Sequence, residues 1–262
     1  MTDIHFEDII GAFAEVENLA AENCNKTQFI VMGVSGVDEY QVKVLSCHEK
    51  RDINTEFCNA VEQNPGFEEI EIVDSHLESK SLSSITHCRN LQSLEIGNND
   101  DFAIEFNEGI GPILSLCGRS LRKLVLDKFR SVDIELVGKS CKKLEVLGLS
   151  HILNYEKIKN LNRGSFCFLE ELDFLNEYAC RIAHNILKQL LFNGSSIQYL
   201  HLQRMDCLDD ILWTQVISKN NLSSLLSLTL DQCHSISGEY IAGTTNSDLG
   251  FLVFSKCFFR LD

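Results

Sequence analysis

Apolar residues along the chain recur as a hexapeptide, apolar-x-x-apolar-x-apolar, each copy following a polar turn. The copies are Phe67/Ile70/Ile72, Leu91/Leu94/Ile96, Leu121/Leu124/Leu126, Leu144/Leu147/Leu149, Leu169/Leu172/Phe174, Ile197/Leu200/Leu202, Leu225/Leu228/Leu230 and Leu249/Leu252/Phe254. A weaker copy, Val42/Leu45/Cys47, precedes them. Successive copies start 25, 24, 30, 23, 25, 28, 28 and 24 residues apart. One such hexapeptide carries no weight, but nine at near-constant spacing define a structural repeat. Its last two apolar positions alternate with polar ones, which predicts a short strand with one buried face.

Between the strands the spacing turns helical. Ala179, Ile182, Ala183, Ile186, Leu187 and Leu190 fall on one face of a helix, as do Ile134, Val137 and Cys141. Ile53, Phe57, Ala60 and Val61 do the same in the first insert. Each unit therefore reads strand, turn, helix, turn, and none buries its apolar face alone. Stacking predicts an α/β solenoid of about eight to nine repeats, each 23–30 residues long, with a curved parallel sheet inside and helices outside. A doubly wound sheet shares the alternation but needs strands apolar on both faces. Its Gly-x-Gly-x-x-Gly turn is also missing, since Gly109-Ile110-Gly111-Pro112 supplies two glycines only.

The chain thus resembles leucine-rich-repeat proteins, and more narrowly their cysteine-containing subtype. Cys88-Arg-Asn-Leu91 and Cys141-Lys-Lys-Leu144 carry the cysteine that closes the helix before a strand. Leu228-Thr-Leu230-Asp-Gln-Cys233 and Phe254-Ser-Lys-Cys257 carry the one that follows a strand, and Asn99 takes that position after Ile96. A thiol there is a small apolar filler with a weak donor for loop carbonyls. The resemblance covers residues 41–262, leaving residues 1–40 as an N-terminal helical cap. In residues 4–24, Ile4, Ile9, Phe13, Val16 and Ala20 form an apolar stripe on an otherwise acidic helix. After the last hexapeptide only Cys257-Phe-Phe-Arg-Leu-Asp262 remains, too short for a closing helix, so the edge of the last strand is left for a partner or further chain to cover.

Charge narrows the partners. The 38 acidic and 23 basic side chains give a net charge of −15, whose field repels nucleic acid and anionic membranes. No apolar run reaches membrane-spanning length, and Met1-Thr2-Asp3-Ile4-His5 has no basic or apolar leader character. Eleven cysteines without such a leader imply reduced thiols and a cytoplasmic or nuclear setting. The Asn-x-Ser/Thr matches at Asn25, Asn193 and Asn221 are then fortuitous. Without any Cys-x-x-Cys pair, no metal is expected.

Catalytic patterns are also missing, and no cofactor is implied. Gly33-Val-Ser35-Gly36 lacks nucleophile-elbow spacing, and His48-Glu49-Lys-Arg-Asp52 lacks the second zinc-binding histidine. His201 is the best histidine for a hidden enzyme, which would need a second reactive group beside it.

The strand register instead nominates a binding face. Residues between and just after the last two apolar positions point into the concave side, and seven of these are acidic against one base, Lys123. The candidates are Glu69, Glu71, Glu95, Asp127, Glu171, Asp173, His201 and Asp231, with Tyr199 and Phe251 as aromatic anchors. Such a face suits a protein partner with a basic surface. A run of eight bases in residues 119–143 (Arg119 to Lys143) reads as a solvated edge or as a docking patch for an acidic partner. Repeats of this type resemble those of F-box/leucine-rich-repeat substrate receptors of ubiquitin ligases, which implies recognition of a substrate or partner and ligase subunits as associates. The first forty residues contain no proline, whereas the F-box opens on a Leu-Pro pair. A scaffold or regulator in an unrelated pathway would use the same face.

Overall fold

The nine hexapeptides fold as nine parallel strands of one sheet. The computed structural model describes residues 29–34, 41–48, 54–98, 104–158, 161–162, 164–176, 183–220, 222–237, 241 and 249–257. The strands are β1 (Phe29–Val34), β2 (Gln41–His48), β3 (Glu69–Ser75), β4 (Ser93–Asn98), β5 (Lys123–Asp127), β7 (Val146–Ser150), β9 (Glu171–Leu175), β10 (Tyr199–Gln203), β11 (Ser227–Asp231) and β12 (Phe251–Ser255). They lie in that order in one ten-stranded sheet, and β6 (Ser131–Val132) pairs β8 (Asn154–Tyr155) in a second, two-stranded one. Only β1 runs antiparallel to its neighbour, β2. The boundary expected at residue 40 thus falls between two strands of the same sheet. The expected capping helix at 4–24 lies outside the described residues, as do Ala179 and Ile182.

The register follows the sequence pattern. Leu45, Ile70, Leu94, Leu124, Leu147, Leu172, Leu200, Leu228 and Leu252 pair in succession across the sheet. The first eight are 0–2% exposed, whereas Leu252 on the last strand is 39% exposed. Upstream of each strand a second ladder repeats. Glu68 N donates to Lys43 O, Gln92 N to Glu68 O, Arg122 N to Gln92 O, and so on to Gly250 N and Leu226 O, at 2.6–2.9 Å. This ladder locks the phase of neighbouring repeats, because a slip by one residue would turn every leucine to solvent.

Helices α1 (Asn54–Gln63), α2 (Ser79–Leu82), α3 (Phe106–Cys117), α4 (Ile134–Ser140), α5 (Ala183–Asn193) and α6 (Asp210–Asn220) return the chain between strands. Their apolar stripes, including Phe57, Val61, Ile134, Val137, Ile186 and Leu190, close one continuous core against the sheet. Asp133 and Asp209 cap α4 and α6 by accepting the Leu136 and Leu212 amides at 2.9 and 2.7 Å. Gly109-Ile110-Gly111-Pro112, noted for its glycines, lies inside α3. Burial of Ile110, Ile113 and Leu114 there outweighs the poor helix propensity of glycine and proline.

The strands end in one of two ways. Asp74, Lys128, His151, Arg204, Gln232 and Lys256, each two residues after the last apolar position, adopt left-handed φ of 50–60°. That turn drives the following residue under the sheet, where Phe129, Ile152, Met205 and Cys233 are 0–1% exposed. After β4 and β9 the left-handed step is missing, and Asn98 and Asn176 themselves turn inward, 0% and 5% exposed. Asn99, assigned the position after Ile96, lies outside the described residues. The buried residue is Asn98, which pairs with Ser75 across a register shift between β3 and β4.

The cysteines fill the positions expected of them. Cys233 Sγ donates to Leu202 O at 3.5 Å and Cys257 Sγ to Leu230 O at 3.3 Å, each reaching the preceding repeat. Cys88, Cys141 and Cys233 are fully buried, and burial pushes their thiols up to about 12. At neutral pH they stay protonated and unreactive.

Candidate functional site: the inner face of the sheet

Alternation along β3, β4, β5, β7 and β9 to β12 leaves the first, third and fifth residues of each on the face away from the helices. The structure sets the ten sequence candidates along this sheet as two groups, of three and four, with Phe251 farther along and two at strand ends. Glu69 and Glu71 (β3) stand beside Glu95 (β4), with Glu71 and Glu95 directly paired in register. Glu171 and Asp173 (β9) stand beside Tyr199 and His201 (β10), paired in that order. Phe251 opens β12, beside Ser227 of β11. Asp127 and Asp231 end β5 and β11.

Several of these side chains already have partners. Lys123 Nζ donates to Glu95 Oε2 at 2.8 Å, and Ser46 Oγ to Glu71 Oε2 at 3.3 Å. Asp127 Oδ1 lies 2.6 Å from His151 Nδ1. Asp231 Oδ2 accepts from Gln203 Nε2 at 2.7 Å and Gln232 Nε2 at 3.3 Å. Desolvation opposes ionisation of Asp231, yet hydrogen bonds from Ser255 and Gln232 hold its carboxyl below the ordinary value. Asp127 and Asp231 therefore brace the strand ends as well as contributing charge.

Between the two acidic groups the face turns apolar. Val125 and Val146 sit on β5 and β7, and Gly148 opposite Val125 leaves room for it. A Cβ at Gly148 would lie 3.0 Å from Val125 Cγ1, a contact so tight that the valine would have to yield slightly. Farther along, Glu171, Asp173, Tyr199, His201, Ser227 and Thr229 line a shallow depression. The Tyr199 ring is 48% exposed there. His201 Nδ1 lies 3.3 Å from Asp173 Oδ1, and that hydrogen bond, with the Asp173 and Asp231 charges, raises the imidazole above its ordinary value. Phe251, Leu252 and Val253 beyond it are 72%, 39% and 46% exposed. Leu252 and Leu226, the latter 39% exposed, extend the apolar surface off the inner face. Neither was among the sequence candidates. Leu252 holds a core position in the pattern, yet on β12 it is 39% exposed.

The basic run is largely occupied within the fold. Arg122 pairs with Glu145, Lys123 with Glu95, Lys128 with Asp74, Arg130 with Glu105 and Lys139 with Glu135. Lys142 Nζ donates to Gly138 O at 2.7 Å. Arg122, Lys123, Lys128 and Arg130 thereby link different repeats, whereas Lys139 and Lys142 pair within their own. Among the described residues no group of three His, Cys, Asp or Glu is placed to hold a metal ion, and no helix is long and apolar enough to cross a membrane.

No protein-family model matches the chain, and no curated protein matches it in sequence. Among solved structures it is similar to an internalin (inlF) from Listeria monocytogenes str. 4b F2365, a leucine-rich-repeat protein, with a TM-score of 0.51 at 20% sequence identity. The match covers 76% of this chain and 51% of that one, so the chain spans about half the internalin's length. At that identity the likeness concerns the fold alone. Taken with nine parallel strands in register over a single continuous core, it establishes this chain as an α/β leucine-rich-repeat solenoid.

Proposed function

We propose that this chain is a noncatalytic recognition module whose inner sheet face binds a protein partner presenting a basic surface. The observation that carries this reading is the gathering of carboxylates and exposed aromatic rings on one face. Glu69, Glu71, Glu95, Glu171 and Asp173 share it with Tyr199 and Phe251, against the single base Lys123. Solenoids commonly use such extended concave faces for partners. Complementary charge sets orientation and association rate, while the aromatic rings supply contact area. The test is to reverse Glu69, Glu71, Glu171 and Asp173 to Lys and capture partners with both forms. The wild type is expected to recover a basic protein that the variant loses while keeping its circular dichroism spectrum. Equal recovery by both would refute the reading.

The setting proposed for this module is ubiquitin-dependent turnover in the cytoplasm or nucleus. Its support is the resemblance carried by Cys88, Cys141, Cys233 and Cys257 to the repeats of ligase substrate receptors. Recovery of cullin–RING subunits with the captured partner is expected. Their consistent absence would favour the alternative of a scaffold or regulator in another pathway.

A further inference from the structure

The two halves of the inner face differ in what stands beside their exposed carboxylate, since Glu69 on β3 and Glu171 on β9 are both exposed while Asp173 on β9 is engaged by His201. On β3–β5, Glu95 is bound by Lys123 and Glu71 by Ser46, so a partner's cation must compete with internal hydrogen bonds. On β9–β12 the order across the strands is different. Glu171 is exposed beside the half-exposed Tyr199 ring, the hydroxyls of Ser227 and Thr229 follow, and Phe251 ends the row at 72% exposure. Acid, ring, hydroxyl and bare apolar surface thus succeed one another over three strand steps.

We infer that partner binding is concentrated on β9–β12, and that the occupant is an extended protein segment carrying a Lys or Arg and, about four residues further on, a large apolar side chain. This rests on the inner-face reading above and narrows it. A cation over Tyr199 gains the ring quadrupole and the Glu171 charge at one point. Three strand spacings of about 4.8 Å place Phe251 about 14 Å from Glu171. Four residues of extended chain, at about 3.3 Å each, cover about 13 Å. The apolar side chain then covers Phe251 and Val253, 72% and 46% exposed on the inner face. Exposed contiguous apolar surface of this kind marks interaction sites.

The probe is a random twelve-residue peptide library displayed on phage and selected on the whole chain, with selected peptides titrated against two variants. Variant one carries Glu171→Gln, Asp173→Asn, Tyr199→Ser and Phe251→Ser, and variant two carries Glu69→Gln, Glu71→Gln and Glu95→Gln. The expected consensus pairs Lys or Arg with Phe, Leu or Trp about four positions on. Variant one is expected to bind at least about tenfold more weakly, and variant two within about threefold of wild type. If variant one does not fold, Glu171→Gln and Phe251→Ser singly, both at exposed positions, carry the same comparison. Loss confined to variant two would overturn the placement on β9–β12 while leaving the inner-face reading intact. Unchanged binding to both variants, or selection without the paired consensus, would overturn the inference.

Discussion

His201 shows how a single side chain takes its properties from neighbouring repeats. Asp173 reaches it from β9 and the Asp231 charge acts on it from β11, two carboxylates brought near one imidazole by register. The hydrogen bond to Asp173 favours the imidazolium, so the folded chain binds this proton more tightly than the unfolded one. Its contribution to stability is full below about pH 6.5, the ordinary histidine value, and fades as pH rises through the raised folded value. An NMR titration is expected to place His201 above the ordinary value, and Asp173→Asn to bring it down. A titration unchanged by that substitution would remove Asp173 as the cause. Sequence showed His201 and Asp173 as inward positions but not as partners, because their contact depends on strands 28 residues apart standing side by side.

At the level of the element, each strand is weak alone and owes its stability to the column it joins. Leu147 illustrates this, being fully buried between Leu124 and Leu172. Leu147→Ala is expected to cost about 2–5 kcal/mol, from lost transfer energy and the cavity left behind. Leu252→Ala should cost far less, since that side chain is 39% exposed. Chemical denaturation of the two variants measures both, and equal losses would contradict the gradient of burial along the column. The strands and the helices over Phe57, Ile134 and Ile186 were legible because periods of two and 3.6 leave a clear trace. Helix α3 was hidden by Gly109, Gly111 and Pro112, where packing overrides propensity. The left-handed exits at Lys128, Arg204 and Gln232 left no trace either, because lysine, arginine and glutamine carry no turn signature.

Over the whole molecule, the net charge of −15 is unevenly spent. Several bases in residues 119–143 pair with acids of other repeats, as Arg122 does with Glu145 and Lys123 with Glu95, so part of the acidic charge is offset there. On β9, Asp173 is engaged by His201 while Glu171 stays exposed to meet a partner. Association through the inner face should therefore weaken as salt rises from about 0.1 M to about 1 M, where the screening length falls from about 10 Å to about 3 Å. Titration of the captured partner at both concentrations is expected to show a loss of roughly tenfold, mostly through slower association. Binding that strengthens with salt would assign the interface to the apolar surface at Phe251 and Leu252 instead.

The sequence by itself determined the repeat, the strand register and the division of each strand into core and inner-face residues. It could do so because a two-residue alternation fixes which side of a strand each residue occupies. Tertiary structure alone decided which of those residues meet. It paired Glu95 with Lys123, Asp127 with His151 and His201 with Asp173, and it left Glu171, Tyr199 and Phe251 open to solvent. Those outcomes depend on the distance and the orientation between side chains from separate repeats. Neither quantity is written in the local order of residues.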